Sequence, residues 1–250
     1  MDRVEIEEIG VAYLAQGAGR TLLVLHGWGS RASAMLAVAQ RLKGRLIIPD
    51  LPGFGDSDEP LVPWGSAEYA RLVEKFLAKL GVDGPIDVIA HSHGGRIAIQ
   101  MAASGRIEIG KLVLVDAAGL RPRRKPSYYL KVAVAKLGRL VGRFGPPGRR
   151  LQGRLRSRVG SADYLQASET MRMTLRTVVA EDLTDLLGQI SAPTLLIWGA
   201  EDEDTPIWMG RKMEELIDDA ALIPLEGAGH WAFAEQPEKF VLIVGRFLDG

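Results

Sequence analysis

Short runs of consecutive apolar residues alternate with longer, more polar segments along most of the chain. Residues 22–25 and 112–115 are apolar at every position, which is typical of parallel strands covered by helices on both faces. This pattern predicts strands near residues 9–13, 21–26, 45–49, 86–90, 111–116, 194–198 and 221–225, with helices between them. We therefore expect an α/β fold with a doubly wound, mostly parallel sheet.

The alternation of strand and helix patterns stops between residue 119 and about residue 189. That stretch has helical character interrupted by glycine and proline, and it predicts an inserted helical cap over residues 119–189. The core then has a first part, residues 1–118, and a second part, residues 190–250. Because the insertion leaves the sheet at the carboxyl end of a strand, we expect it to lie over the site and to shape access to it.

The predicted cap has an unusual charge pattern. Residues 121–158 contain thirteen lysines and arginines and no acidic residue, and apolar side chains recur among them at helical spacing. We interpret these charges as the solvated face of a cap helix, because any surface helix is amphipathic. Weak contact with an anionic lipid surface, or attraction of an acidic substrate, is the alternative interpretation.

Composition excludes several classes of protein. The 250 residues carry a formal net charge of zero, so no global field draws the protein toward nucleic acid or a membrane. The absence of cysteine excludes disulfides and a thiolate nucleophile, and we expect neither a metal site nor a cofactor. Residues 1–10 lack the pattern of a secretion signal, and no run of eighteen apolar residues occurs. We expect a soluble, cytoplasmic protein without stable membrane insertion; its oligomeric state stays open.

The pentapeptide Ala90-His91-Ser92-His93-Gly94 lies where a predicted strand gives way to a helical pattern. In a sharp strand-to-helix turn, the strained backbone leaves room only for small residues two positions before and two positions after the central residue. Ala90 and Gly94 meet this requirement. The segment therefore predicts a nucleophile elbow that presents Ser92.

Three further predicted strands end in loops with candidate chemistry. Residues 26–29, His-Gly-Trp-Gly, form a glycine-rich loop in which an oxyanion donor is expected. Residues 199–202, Gly-Ala-Glu-Asp, follow one late strand, and residues 229–230, Gly-His, follow the next. The chain order is therefore serine, acid, histidine, which differs from the orders in the chymotrypsin and subtilisin triads.

All four histidines of the chain, at positions 26, 91, 93 and 230, lie in these loops. Only His230 follows the acidic loop, which makes it the candidate base. We expect His26 to brace the glycine-rich loop through a backbone hydrogen bond. His91 and His93 are interpreted as structural residues that flank the elbow.

Four consecutive carboxylates, residues 201–204, compete for the role of the acid, although most carboxylates in such a run are solvated. Asp202 is the first choice because of its position in the loop after Gly199. Asp116, which ends an apolar strand at the same predicted edge, is the second candidate, and it could instead anchor the start of the cap.

These residue types suit acyl transfer. A serine hydroxyl needs a base within hydrogen-bond reach to become a nucleophile, and the base needs an orienting carboxylate. Ser92, His230 and Asp202 could supply these three roles. The backbone N–H groups of His93 and Trp28 would then meet the oxyanion of a tetrahedral intermediate.

Taken together, these motifs resemble the α/β-hydrolase superfamily over nearly the whole chain outside the cap. Besides the elbow, they are His26-Gly27-Trp28-Gly29, Asp50-Leu51-Pro52-Gly53-Phe54-Gly55, Gly199-Ala200-Glu201-Asp202 and Gly229-His230-Trp231. The resemblance implies that Ser92 is the nucleophile, Asp202 the acid and His230 the base. It also implies that Trp28 and His93 form the oxyanion hole. Ala90 departs from the commoner glycine.

The pattern resembles a capped branch of the superfamily that includes carboxylesterases, carbon-carbon bond hydrolases, proline iminopeptidases and haloalkane dehalogenases. The dehalogenases and the related epoxide hydrolases have an aspartate at the elbow, so Ser92 argues against both. We expect a cofactor-free serine hydrolase that cleaves small-molecule carboxylic esters with small to medium acyl chains. Trp28 and Trp231 are expected to bind substrate because they neighbour motif residues.

Two alternatives remain open at this point. The first is hydrolysis of a carbon-carbon bond in a vinylogous diketone, which uses the same triad and for which the basic cap is suitable. The second is a ligand receptor that keeps the hydrolase fold and turns over slowly or not at all.

Overall fold

The computed structural model describes residues 1–121 and 167–250 of the chain. The chain divides into two compact units, residues 1–121 together with 173–250, and residues 122–172. Residues 122–166, which make up most of the predicted cap, lie outside the described residues. The first unit contains the sheet and all the motif loops named above.

A single sheet of eight strands is the centre of the first unit. The strands are β1 (Asp2–Ile6), β2 (Ile9–Gln16), β3 (Thr21–Leu25), β4 (Arg45–Pro49), β5 (Ile86–His91), β6 (Ile109–Val115), β7 (Thr194–Gly199) and β8 (Ala220–Leu225). Their order in the sheet is β1-β2-β4-β3-β5-β6-β7-β8. The two pairings made by β2 are antiparallel and all the others are parallel, which confirms the predicted mostly parallel sheet.

The first strand, β1, is absent from the sequence-based prediction. It is an edge strand with one partner, so its charged side chains remain exposed and its pattern is not that of a buried strand. The two residues that connect it to β2, Glu7 and Glu8, have φ angles of 48° and 68°. Two-residue hairpins with positive φ usually contain asparagine or glycine, and this turn lacks that signal.

Helices cover both faces of the sheet, as the doubly wound prediction requires. The described residues contain α1 (Ala32–Ala39), α2 (Ser66–Lys79), α3 (His93–Ser104), α4 (Glu169–Ala180), α5 (Thr184–Leu187), α6 (Trp208–Leu216), α7 (Ala232–Glu235) and α8 (Pro237–Asp249). Successive residues of a strand point to opposite faces, and Leu22 and Leu23 of β3 accordingly belong to two separate core clusters. Within residues 1–121 and 167–250, no helix is both long and apolar enough to span a membrane.

Helix α2 shows how the sequence builds the wall beside the site. Its N-terminus is capped by the Glu68 carboxylate, which accepts a hydrogen bond of 2.9 Å from the N–H of Gly65. Apolar residues at helical spacing, Tyr69 and Phe76 among them, are fully buried against the sheet. Burial of a phenylalanine such as Phe76 contributes about 1.5–3 kcal/mol. This packing fixes Tyr69, whose hydroxyl donates a hydrogen bond of 3.0 Å to the carbonyl of Pro52.

The register of the parallel strands brings the motif loops to one edge of the sheet. Leu25 of β3 lies beside Ala90 of β5, which lies beside Leu114 of β6. Trp198 near the end of β7 lies beside Pro224 near the end of β8. The loops that follow these strands therefore meet outside their carboxyl ends, where open α/β sheets carry their sites.

Candidate active site

The turn between β5 and α3 holds Ser92 in a strained conformation. Its φ and ψ angles are 50° and −110°, a region that non-glycine residues rarely adopt. The neighbouring segment holds it there, because the N–H of Ser92 donates to the carbonyl of Val115 and its own carbonyl accepts from the N–H of Ala118. A Cβ at Gly94 would lie 2.6 Å from the carbonyl oxygen of Leu25, which explains why that position must be glycine.

Ser92, His230 and Asp202 form a continuous chain of hydrogen bonds. The Ser92 Oγ lies 2.9 Å from the Nε2 of His230, and the Nδ1 of His230 lies 2.8 Å from the Oδ2 of Asp202. With the imidazole protonated on Nδ1, Asp202 accepts that proton and Nε2 is free to accept the serine proton. The structure thus brings together the three residues that the motifs single out.

The acidic loop, residues 201–204, places one carboxylate in hydrogen-bond contact with His230. Asp202 is 5% exposed, whereas its neighbours Glu201, Glu203 and Asp204 are exposed to solvent. Its Oδ1 accepts hydrogen bonds from the N–H groups of Asp204 and Thr205, at 2.8 and 3.0 Å. These bonds turn the other oxygen toward His230.

Thr205 is a residue of the site that sequence reasoning missed. Its buried Oγ1 lies 2.7 Å from the Oδ2 of Asp202, 2.9 Å from the carbonyl oxygen of Asp116 and 3.3 Å from the Nδ1 of His230. The single hydroxyl proton can be donated to Asp202 or to Asp116. A threonine three positions after the acid would be the available sequence signal, but a hydroxyl at that spacing is common in turns.

Electrostatics strengthens the imidazole as a base. Burial alone lowers the pKa of His230, but the hydrogen bond and charge of Asp202, together with smaller effects of the Asp204 and Asp116 charges, outweigh burial and raise the pKa above its ordinary value. Burial alone raises the pKa of Asp202, but hydrogen bonds from His230 and Thr205 outweigh burial and hold the pKa below its ordinary value. Asp202 is therefore ionised at neutral pH, where it stabilises an imidazolium.

The glycine-rich loop after β3 lies directly against the elbow. A Cβ on Gly27 would come 3.2 Å from the Cβ of Ser92, and the next residue, Trp28, has its ring centroid 5.4 Å from that of His93. His93 is the first residue of α3, so its N–H has no carbonyl partner within the helix. Both predicted oxyanion-hole residues therefore lie close to the turn, His93 directly after Ser92 and Trp28 directly after Gly27.

His26 braces the glycine-rich loop, as predicted. Its Nδ1 lies 2.7 Å from the carbonyl oxygen of Gly27, and its Nε2 accepts a hydrogen bond of 2.9 Å from the N–H of Leu51. Burial lowers the pKa of His26 to about 4, so the ring is neutral at pH 7 and can accept that second bond. The bond to Leu51 also ties the loop to the turn after β4.

His91 supports the loop that carries His230. Its Nε2–H donates a hydrogen bond of 2.8 Å to the backbone carbonyl of His230, and its ring lies 4.8 Å from that of Trp231. Burial lowers the pKa of His91 to about 3, so it stays neutral. Trp231 is 39% exposed, whereas Trp28, the other predicted substrate-binding residue, is half-buried.

The side chain of His93 has no hydrogen-bond partner in the part of the chain that the structure describes. The ring is 3% exposed, and neither of its nitrogens has a hydrogen-bond partner. It is packed instead among the rings of Trp28, Phe54 and Tyr69. Burial, with a smaller effect from the charge of Arg96, lowers the pKa of His93 to about 3.

Asp116, the second candidate for the acid, has other partners than the base. Its carboxylate accepts hydrogen bonds from the backbone N–H groups of Gly199 and Ala232, at 2.7 and 3.1 Å. It is fully buried, and burial raises its pKa to about 7. Asp202, not Asp116, is the carboxylate in hydrogen-bond contact with His230.

Asp202, Asp204 and His230 also form the one group in residues 1–121 and 167–250 whose ligand atoms are close enough to hold a metal ion, all within 4.8 Å. A metal there would have to replace the bond between Asp202 and the Nδ1 of His230. The present geometry of these groups is therefore that of an acid and a base rather than of a metal centre.

Comparisons with known proteins show the family of the chain. Residues 22–242 match the model of the alpha/beta hydrolase family. An uncharacterised protein of Mycobacterium tuberculosis is 29% identical in an alignment 272 positions long, which covers 95% of this chain and 78% of that protein.

Two further matches have named activities. A 2-hydroxy-6-oxononadienedioate/2-hydroxy-6-oxononatrienedioate hydrolase of Paraburkholderia phymatum is 26% identical in an alignment 269 positions long, which covers 96% of this chain and 91% of that protein. The crystal structure of a membrane phospholipase A, a bacterial virulence factor, superposes with a TM-score of 0.78 at 29% identity. That match covers 100% of this chain and 85% of the phospholipase chain.

Proposed function

Because the chain belongs to the alpha/beta hydrolase family, we propose that it is a serine hydrolase with Ser92 as nucleophile, His230 as base and Asp202 as acid. The observation that carries the proposal is the continuous hydrogen-bonded chain from the Ser92 Oγ through His230 to Asp202, with bonds of 2.9 and 2.8 Å. The proposed substrates are carboxylic esters with small to medium acyl chains.

In the acylation step, the Ser92 Oγ attacks the carbonyl carbon of the ester while its proton passes to the Nε2 of His230. Asp202 stabilises the imidazolium that forms. When the tetrahedral intermediate collapses, His230 returns the proton to the leaving alkoxide, and the acyl group remains on Ser92.

In the second step, a water molecule attacks the acyl-enzyme and gives its proton to His230. When the second intermediate collapses, the bond between the acyl carbon and the Ser92 Oγ breaks, His230 returns its proton to that Oγ, and the carboxylic acid is released. The N–H groups of Trp28 and His93 stabilise the oxyanion in both steps, and loss of one such donor typically costs about 3 kcal/mol of transition-state stabilisation. Trp28 and Trp231 are proposed as apolar walls for the substrate.

Esters are the first choice because an alkoxide leaving group needs only the single proton that His230 can return. The similarity to a phospholipase, an enzyme named for acting on lipids, supports this choice. The similarity to a 2-hydroxy-6-oxononadienedioate hydrolase favours a second candidate, hydrolysis of a carbon-carbon bond in a vinylogous diketone with the same three residues. Each candidate predicts a different preferred substrate for the same site.

The test is a kinetic series on p-nitrophenyl esters from acetate to palmitate, with a vinylogous diketone assayed in parallel. Product release is recorded from the first second of the reaction. We expect a burst of p-nitrophenol from the wild type and a fall in kcat of at least about 10³-fold in Ser92→Ala. Ser104→Ala, at the far end of the same helix, is the matched control and should keep wild-type rates.

The outcomes separate the candidates. Faster turnover of the diketone than of any ester would replace the first candidate by the second. Labelling of Ser92 by a fluorophosphonate without turnover of either substrate would indicate a receptor. Full ester activity in Ser92→Ala would refute the proposal as a whole.

A further inference from the structure

The segment of residues 115–118, which begins at the last residue of β6, is hydrogen-bonded to the segment of every proposed triad residue. Val115 and Ala118 hold the backbone of Ser92 through hydrogen bonds of 3.1 and 3.0 Å. These bonds join two segments that are more than twenty residues apart in the chain. The elbow is therefore built partly on the end of β6.

The side chain of Asp116 reaches the two remaining segments. One carboxylate oxygen accepts the N–H of Gly199, which lies three residues before Asp202, at 2.7 Å. The other accepts the N–H of Ala232, two residues after His230, at 3.1 Å. Because the two oxygens belong to one rigid carboxylate, the bonds fix the distance between the loop of the acid and the loop of the base.

The backbone of Asp116 adds two contacts on the acid side. Its N–H donates to the carbonyl of Ile197 at 3.0 Å, and its carbonyl oxygen lies 2.9 Å from the Oγ1 of Thr205. Thr205 is in turn 2.7 Å from the Oδ2 of Asp202. The acid is thus tied to Asp116 through both Gly199 and Thr205.

The fold bears two unfavourable features at this position. Asp116 has a φ of 44°, which is strained for a non-glycine residue, and its carboxylate is fully buried. Two N–H donors also require a carboxylate, because an asparagine of the same shape would accept one bond and turn an N–H toward the other donor. Such strain and burial are typical of functional sites and are tolerated where the geometry is needed.

We propose that Asp116 is a positioning residue that sets Asp202 and His230 in register with Ser92 by clamping their two loops to the end of β6. The inference rests on the proposed function. It differs from a role as a second acid, because the carboxylate binds backbone N–H groups and not the imidazole.

Asp116→Asn is the first test. Misplacement of reacting groups by about 1 Å costs about 10²-fold in rate, so we expect kcat on the best ester to fall by about that factor while KM changes by less than about threefold. The charge of Asp116 also raises the pKa of His230, so its loss should move the acid limb of kcat/KM to lower pH. The charged groups that face Asp116 are Asp202 and His230. Its hydrogen-bond partners are uncharged: two backbone N–H groups, the Ile197 carbonyl and the Thr205 hydroxyl.

Asp50→Asn is the matched control. Asp50 also ends a strand, is 1% exposed, and accepts two backbone N–H groups, those of Ala32 and Asp56 at 2.6 and 2.8 Å. A general loss of stability should appear in both variants. The fall in kcat and the shifted pH limb should appear only in Asp116→Asn.

A second variant, Asp116→Ala, keeps the proposal testable if Asp116→Asn does not fold. Asp116→Ala leaves space beside the two N–H groups, and formate should restore kcat where sodium chloride of equal ionic strength does not. Wild-type kcat and an unshifted pH limb in Asp116→Asn would overturn the positioning role while the Ser92→Ala result leaves the proposed function intact. If neither variant folds with formate present, Asp116 is a folding residue and the proposal is wrong.

Discussion

Acidification should destabilise this protein strongly, because three of its four histidines are buried in the neutral form. Burial lowers the pKa of His26 to about 4 and those of His91 and His93 to about 3, against 6.5 for an exposed histidine. The unfolded chain binds protons at these positions below pH 6.5 and the folded chain does not. Stability is therefore lost as the pH falls through 6.5 toward the lowered pKa values.

The size of this loss in stability follows from the difference in pKa between the folded and the unfolded chain. Between pH 7.5 and pH 5, each of these histidines should lower the free energy of unfolding by about 2 kcal/mol, or about 6 kcal/mol in total. Asp116 acts in the opposite direction, because burial raises its pKa to about 7 in the folded state. As the pH falls, the folded chain binds this proton before the unfolded chain does, which raises the free energy of unfolding by about 2–3 kcal/mol. The raised pKa of His230 also favours the folded state at low pH. Asp202, with a lowered pKa, loses its contribution only below about pH 4. We expect a net loss of about 3 kcal/mol.

His93→Met isolates one of these contributions. The ring nitrogens of His93 have no partner among the described residues, so an apolar side chain of similar size should raise the free energy of unfolding at pH 7.5 by about 1 kcal/mol or more. At pH 5 the gain should grow by a further 2 kcal/mol or so, because the variant has one fewer histidine to protonate on unfolding. The N–H that faces the proposed oxyanion hole is part of the backbone and is retained.

The assay is urea unfolding at pH 7.5 and pH 5, followed by tryptophan fluorescence and extrapolated linearly to water. His230→Gln is the control, because removal of a histidine with a raised pKa should not diminish the acid loss. Equal pH dependence in His93→Met and the wild type would show that His93 is not held neutral, and the reasoning from burial would fail.

Two further predictions concern the acid and the elbow. Asp202→Asn should lower kcat by about 10³- to 10⁴-fold, because the imidazole loses its orienting charge, whereas Asp204→Asn, on the exposed neighbour, should change kcat less than about threefold. Equal losses in the two variants would reject Asp202 as the acid. Gly94→Ala should lower the free energy of unfolding by more than about 2 kcal/mol, because the added Cβ would lie 2.6 Å from the carbonyl oxygen of Leu25. A denaturation midpoint equal to that of the wild type would contradict this.

The apolar runs and the loop motifs are local, and this is why the sequence alone indicated so much. Short apolar runs located seven of the eight strands found in the described residues, and the small residues around Ser92 indicated the turn. The strand β1 was missed because its charged edge pattern and its Glu7-Glu8 turn carry no strong local signal. The interpretation of His26 as a loop brace needed only its neighbour Gly27, and the structure confirms that bond.

Contacts between distant segments were decided by the tertiary structure. The sequence offered five carboxylates for His230, in the run 201–204 and at Asp116, and the turn made by the Asp204 and Thr205 N–H groups selected Asp202. The bridge from Asp116 to Ala232 joins residues 116 positions apart, and the bond from His91 to the His230 carbonyl joins residues 139 apart. Sequence periodicity reports which face of an element is buried, but a hydrogen bond between two loops depends on strand order and register, which become definite only when the sheet is assembled.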